Sequence, residues 1–288
     1  MAASDALHGL DFSHTLRDAE SGTIIKPLLR NYLYDAEFPE FDLHFAKKGR
    51  RKPDGWFHPS THPLMQEREL WLYLTRPDDF PVERLDFMST LNVTFGTVLH
   101  EFVEMCLTDM GLRPKDLNRC TTCPPKNRCT EPGAVDKETG SRGHMDGKLD
   151  FSRLSVPKHM EFPGLEFKSR SRALTFGDLD LEAFKVKFPE YYAQVQEYMR
   201  ISGLRGFIVF FIQWATPWEM TEIHIPYDRA EAHRIRDKYL TVREAERTDV
   251  APACCRMQGK RSCSIRKMCD AGYFDTPASE TTVRGLAL

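Results

Sequence analysis

One stretch constrains the fold more than any other: residues 206–215, GFIVFFIQWA, the longest apolar run in the chain. It falls well short of the roughly 18 to 20 residues that cross a bilayer, and reads instead as a buried strand. The 288 residues suit one large domain, or a domain with an insertion. With 41% hydrophobic and 28% charged residues the chain can build a core, which argues against global disorder. A formal net charge of −2 argues against a generally basic nucleic-acid wrapper, yet leaves room for basic patches beside an acidic site. The opening MAASDALHGLDFSH has neither a basic start nor an apolar stretch of signal length. A soluble, intracellular protein is therefore expected, in which the 8 cysteines serve as thiols or metal ligands rather than disulfides.

Residues 1–60 read as irregular, with a charged run at Lys47, Lys48, Gly49, Arg50, Arg51 and Lys52. A helix is expected over 64–74, then a linker rich in Pro and Asp over 76–81. A stronger helix is expected over 92–110, where Phe95, Val98, Leu99, Phe102 and Cys106 keep the spacing of an apolar stripe. Residues 113–142 form a loop-like insertion rich in Cys, Pro and Gly. Strands are expected at 145–151, 160–169, 207–214 and 220–225. A long helix over 181–201 separates the second strand from the third, and an amphipathic helix over 228–247 follows the last. The resulting division is an irregular segment 1–60, a core 61–250 carrying the insertion 113–142, and a basic, cysteine-rich tail 251–288.

Two short stretches carry most of the chemistry: Gly143-His144-Met145-Asp146-Gly147 and Leu165-Glu166-Phe167-Lys168. Both sit in strand-like context, at a separation that suits two adjacent strands joined by a hairpin. Alternation along a strand puts Glu166 and Lys168 on one face, where Asp146 from the neighbouring strand can join Glu166 at a metal. Hard oxygen ligands suit Mg²⁺ or Mn²⁺. Taken alone, Glu-x-Lys on a strand usually marks a solvated face with an ion pair. Here it is followed by Arg170 and Arg172, a basic stretch able to track a nucleic-acid backbone. On the preceding helix, Gly96 and His100 lie one turn apart, with Glu104 a further turn on. On the long helix, Gln194 and Tyr198 share a face at i, i+4.

Taken in order, Gly-x-x-x-His, Gly-x-x-Asp-Gly, Glu-x-Lys and Gln-x-x-x-Tyr resemble the motif series of RecB-like PD-(D/E)XK nucleases, over a core of about 96–212. The resemblance implies a restriction-endonuclease-like α/β fold, a mixed central sheet flanked by helices. It implies that His100, Asp146 and Glu166 bind the catalytic metal with the backbone carbonyl of Phe167. Lys168 would be the catalytic lysine, with Gln194 and Tyr198 orienting the site or contacting the DNA strand.

Cys120, Cys123 and Cys129 give C-x2-C-x5-C, and Cys254, Cys255, Cys263 and Cys269 lie in the tail; Cys106 reads as a small core residue. Zinc takes four tetrahedral ligands, often from C-x2-C pairs, and an iron–sulfur cluster takes four thiolates with looser spacing. The resemblance is closest to the CRISPR-associated and phage-encoded exonuclease branch. That branch pins its C-terminal tail with a 4Fe-4S cluster, using one cysteine upstream of the histidine motif and three near the C-terminus. Cys255, Cys263 and Cys269 resemble the three. Residues 1–105 hold no cysteine, so a fourth ligand must come from Cys254, Cys106 or one of Cys120, Cys123 and Cys129. A zinc site in the insertion, closed by a tail cysteine, fits the count equally. Around the tail thiols, Arg256, Lys260, Arg261, Arg266 and Lys267 read as a phosphate-binding rim or as a solvated basic loop.

The expected activity is metal-dependent DNA exonuclease action with Mg²⁺ or Mn²⁺, on single-stranded DNA ends as the resemblance implies. The expected setting is the cytoplasm of a prokaryote or phage-infected host, in replication, recombination, repair or CRISPR adaptation. Proteins of those pathways, or further copies of the chain, are the expected partners. A structure-specific endonuclease and a catalytically silent DNA-binding subunit are the alternatives; the intact set Asp146, Glu166 and Lys168 favours an enzyme.

Overall fold

The computed structural model describes residues 23–35, 54–80, 87–123, 129–152, 154, 158, 161–170, 180–214, 219–253 and 264–274. Outside them lie the basic run 47–52, Arg172, Cys254, Cys255, Cys263, Arg256, Lys260 and Arg261. In chain order the elements are α1 (Ile25–Asp35), α2 (Glu67–Thr75), α3 (Phe87–Asp109), β1 (Gly133–Asp136), β2 (Ser141–His144), β3 (Gly147–Lys148), β4 (Gly164–Arg170), α4 (Leu181–Lys187), α5 (Pro189–Ser202), β5 (Gly206–Gln213), β6 (Glu219–Pro226), α6 (Arg229–Thr248) and α7 (Arg266–Asp270).

The apolar run is β5, buried at every position because both of its faces are covered. Ile208, Phe210 and Ile212 pack against α1 and α3 with Leu28, Leu29, Val103, Leu107 and Met110. Phe207, Val209 and Phe211 alternate to the other side and meet α4 and α5 through Phe184, Phe188, Val195 and Met199. The sheet order is β3-β4-β5-β6. β4 and β5 are parallel, and the β3–β4 and β5–β6 pairs are antiparallel. The parallel pair requires a crossover, which α4 and α5 supply. This is the mixed central sheet flanked by helices. On the outer side of α5, a third cluster joins α2, α6 and the tail through Trp71, Ala193, Tyr239, Val242 and Ile265. Glu69 anchors that tail by accepting bonds from the amide and hydroxyl of Ser264. Among the described residues, no helix is long and apolar enough to cross a membrane.

Four expectations need correction. Residues 1–60 are not irregular throughout: 25–35 form α1, whose Ile25, Leu28, Leu29 and Tyr32 repeat on one helical face and are buried. Glu222 of β6 accepts from the Ile24 and Ile25 amides, satisfying donors that a helix start leaves without partners. The single helix over 181–201 is two, because Pro189 cannot continue α4; it opens α5 at a first-turn position where its missing N–H costs nothing. The insertion is not all loop, since β1 and β2 pair antiparallel from Gly133↔His144 to Asp136↔Ser141. The apolar stripe of α3 holds at Leu99, Phe102 and Cys106, which pack into the core, and fails at its first member, since Phe95 is 45% exposed. Phe95 instead stacks on Trp214 at 5.2 Å.

Candidate active site and cysteine cluster

The site forms where the sheet edge is cut short. β3 pairs with β4 at two positions, Gly147↔Leu165 and Lys148↔Gly164. Further along β4, on the edge that β3 leaves open, the Phe167 amide donates to Asp146 Oδ2 at 2.6 Å. The expected strand over 145–151 therefore breaks at Met145–Asp146. The Arg113 guanidinium takes the Asp146 carbonyl at 3.0 Å and the Thr130 carbonyl at 2.9 Å.

Alternation along β4 separates two sets. Leu165 and Phe167 enter the α1/α3 core, while Glu166 and Lys168 turn toward α5. Glu166 is 3% exposed. Its Oε1 accepts from Lys168 Nζ at 2.6 Å and from Gln194 Nε2 at 2.6 Å. Gln194 Oε1 accepts from the same ammonium at 3.1 Å, and the Tyr191 ring lies 4.7 Å from Nζ. Glu166 Oε2 is buried and has no hydrogen-bond partner among the described residues. A carboxylate oxygen in that condition is costly unless something cationic meets it.

His100 approaches from α3. Its Nε2 lies 2.6 Å from Glu104 Oε1 and 3.5 Å from Asp146 Oδ1, with the ring edge-on to Phe167 at 5.2 Å. Gly96 explains why α3 can come this close: a Cβ there would sit 2.6 Å from Ser169 Oγ on β4. Burial, then the Glu166 and Asp146 charges, raises the phenol of Tyr198; its hydroxyl donates to the His144 carbonyl at 2.6 Å and so holds the strand end leading into Asp146. The structure thus brings together His100, Asp146, Glu166, Phe167, Lys168 and Gln194, with Tyr198 behind them. Sequence reading passed over Glu131, which with Glu104 and His100 forms a group able to hold a cation. It also passed over Arg113, 4% exposed and 3.2 Å from Glu104. An i+4 carboxylate after the histidine signals Glu104; Glu131 and Arg113 arrive from the insertion, where spacing gives no cue.

Electrostatics match this crowding. Burial, then the Asp146 charge, raises Glu166 from 4.5 to about 7, against the pull of Lys168. Burial likewise raises Asp146, with His100 and Lys168 opposing. Burial disfavours the charged forms of His100 and Lys168, but the carboxylates prevail, lifting His100 to about 9 and Lys168 above its ordinary value. Without a cation the site holds protons that a bound cation must displace. Mn²⁺ affinity is therefore expected to climb as pH rises and to flatten above about 7 for the Glu166 contribution. Stability of the cation-free protein moves the opposite way. Between 4.5 and about 7 the folded chain keeps a Glu166 proton that the unfolded chain has released, so stability falls as pH rises. Calorimetric titration and urea melts across that window read both slopes.

The cysteines divide. Cys120, Cys123 and Cys129 gather with His144 of β2. Cys106 is buried in the core, and Cys269 sits on α7 with its Sγ 3.9 Å from Arg68 Nη1.

No protein-family model and no curated protein matches the chain. Among solved structures it is similar to an alkaline exonuclease from Laribacter hongkongensis. The two are 16% identical with a TM-score of 0.42, covering 68% of this chain and 89% of that one. It is also similar to the same exonuclease in complex with dAMP, at 14% identity and a TM-score of 0.38, with the same shares covered.

Proposed function

We propose that the chain is a metal-dependent deoxyribonuclease, acting as an exonuclease on single-stranded DNA ends. The observation that carries this reading is Glu166. Its Oε2, buried and without a hydrogen-bond partner among the described residues, suits a cation ligand; Asp146 and His100 approach the same point, and a fixed ammonium holds the other oxygen. His100, Asp146, Glu166 and the Phe167 carbonyl would hold Mg²⁺ or Mn²⁺, the hard oxygen-rich set those ions take. Such an ion supplies Lewis-acid polarisation of a phosphate and a water of lowered pKa.

The protein's own groups do the rest. Lys168, held between Glu166 and Gln194, presents a positive charge to the phosphate or to the attacking water. Gln194 donates to Glu166 and accepts from Lys168, so it keeps both in register. Tyr198 fixes the backbone ahead of Asp146. A cleft of about 350 Å³, bordered by Asn92, Val93, Gly96, His100, Lys168 and Ser169, leads to this point. The stacked Phe95–Trp214 pair beside it offers an aromatic face to a base.

A 4Fe-4S cluster on Cys255, Cys263 and Cys269 with a fourth thiolate belongs to the same reading. Of those three, Cys269 is described, outside the group formed by Cys120, Cys123 and Cys129.

Linear and covalently closed circular DNA, each single- and double-stranded and the linear forms end-labelled, test the proposal in Mg²⁺, Mn²⁺ and chelator. Metal-dependent shortening of linear single strands, with circles untouched, is expected, and the label gives polarity. Cleavage of circles moves the reading to an endonuclease. Binding without cleavage under every divalent cation overturns it in favour of a silent binding subunit.

A further inference from the structure

The insertion places four soft ligand atoms at one point, away from the carboxylate site. Cys120 Sγ, Cys123 Sγ, Cys129 Sγ and a ring nitrogen of His144 all lie within 4.8 Å of one another. His144 Nε2 is 3.3 Å from Cys120 Sγ and 3.2 Å from Cys123 Sγ. In a tetrahedron with Zn–S of about 2.3 Å and Zn–N of about 2.0 Å, sulfur and nitrogen stand about 3.5 Å apart. The convergence therefore fits one ion. The four corner irons of a cubane would hold their ligands further apart.

The surroundings are built for it. The Cys123 amide lies 3.2 Å from Cys120 Sγ, so the C-x2-C turn wraps its first sulfur with a backbone donor. The Cys120 amide donates to the Cys129 carbonyl at 3.3 Å, which holds the third thiol's backbone beside the first. Thr122, between the first two thiols, packs directly on Gly133 of the hairpin, where a Cβ would collide with the Thr122 side chain. Across the hairpin, Gly133 pairs with His144, which brings the imidazole under the thiols.

We infer that Cys120, Cys123, Cys129 and His144 form a structural zinc site that clamps the insertion to β2. Three thiolates and one imidazole make a closed set with no open position, as structural zinc requires. The fourth ligand comes from within the hairpin, so no tail cysteine is needed. The site also ties the insertion to the end of β2, two residues before Asp146, alongside the Arg113 bridge between Thr130 and Asp146. The inference does not depend on the nuclease reading: the site can exist whether or not DNA is cut.

Elemental analysis and zinc-edge X-ray absorption on the full chain test it. The expected result is one zinc per chain with three sulfur neighbours and one nitrogen. Cys123→Ser and His144→Ala are expected to lose that zinc, and Cys269→Ser to keep it. Should the first two fail to fold, the wild-type chain refolded with Co²⁺ still decides, through the visible absorption of tetrahedral thiolate-bound cobalt. A four-sulfur shell, zinc lost equally in Cys269→Ser, or iron in place of zinc at these residues overturns the assignment.

Discussion

Lys168→Ala is expected to lower DNA hydrolysis by about 10²–10³-fold while leaving Mn²⁺ binding in place. Lys168 Nζ is held by Glu166 Oε1 at 2.6 Å and Gln194 Oε1 at 3.1 Å, with the Tyr191 ring at 4.7 Å. A charge so confined cannot be replaced by a mobile surface lysine. Its removal leaves Glu166 bonded to Gln194 and Asp146 bonded to the Phe167 amide, so the cation ligands keep their places. A secondary effect has a definite sign. Lys168 opposes the rise of Glu166, so the variant carboxyl moves further up and the pH at which Mn²⁺ affinity flattens moves with it. Single-turnover cleavage and Mn²⁺ titration separate the two effects. Cleavage within a few-fold of wild type would remove Lys168 from the chemistry.

Glu197→Ala is expected to be the most destabilising of the simple polar truncations, by about 3–5 kcal/mol, because it breaks a buried ion pair on one side. Glu197 is fully buried. It accepts from Ser141 Oγ at 2.6 Å and from Arg200 at 2.7 and 2.9 Å. Arg200, itself 10% exposed at the side chain, also donates to Asp136 at 2.6 Å and Thr139 at 3.1 Å. These bonds dock α5, which carries Gln194 and Tyr198, onto the β1–β2 hairpin, which carries His144. The alanine variant leaves the Ser141 hydroxyl without its acceptor and the guanidinium short of charge. Glu197→Gln retains shape and an acceptor, so a smaller loss is expected. Urea melts followed by circular dichroism give both numbers, and equal stability of all three chains would show that the network contributes nothing net.

How much of this was readable beforehand follows from the range of each signal. The apolar run of β5, the Glu166–Lys168 alternation on β4 and the i, i+4 pair on α5 are local, and each element appears where its periodicity puts it. Pro189 was a local signal too, and it splits the crossover into two helices. α1 has a good helical face in Ile25, Leu28, Leu29 and Tyr32, but it is short and isolated, and its anchor Glu222 lies almost two hundred residues away in sequence. The exposed end of the stripe on α3 has a different cause. Helical spacing tells which residues share a face, but not which of them a tertiary neighbour draws outward, and Phe95 leaves the core to stack on Trp214. Long-range convergence was least legible. Arg113, Glu131 and above all His144 acquire their roles only because the β1–β2 hairpin folds the insertion back. A lone histidine two residues before Asp146 carries no mark that it will face three thiols.

In the proposed function the carboxylates around Glu166 hold a cation that cuts DNA. The measurement that addresses it most directly is hydrolysis of end-labelled single-stranded DNA in Mn²⁺ by the wild-type chain and by Glu166→Gln, with Mn²⁺ binding followed on the same samples. Glutamine keeps the size of the side chain and removes its charge. Metal-dependent cleavage by the wild type is expected, and loss of both tight Mn²⁺ binding and cleavage in a variant that stays folded. Full cleavage by Glu166→Gln, or a wild-type chain that binds Mn²⁺ and DNA yet leaves every strand intact, would contradict it.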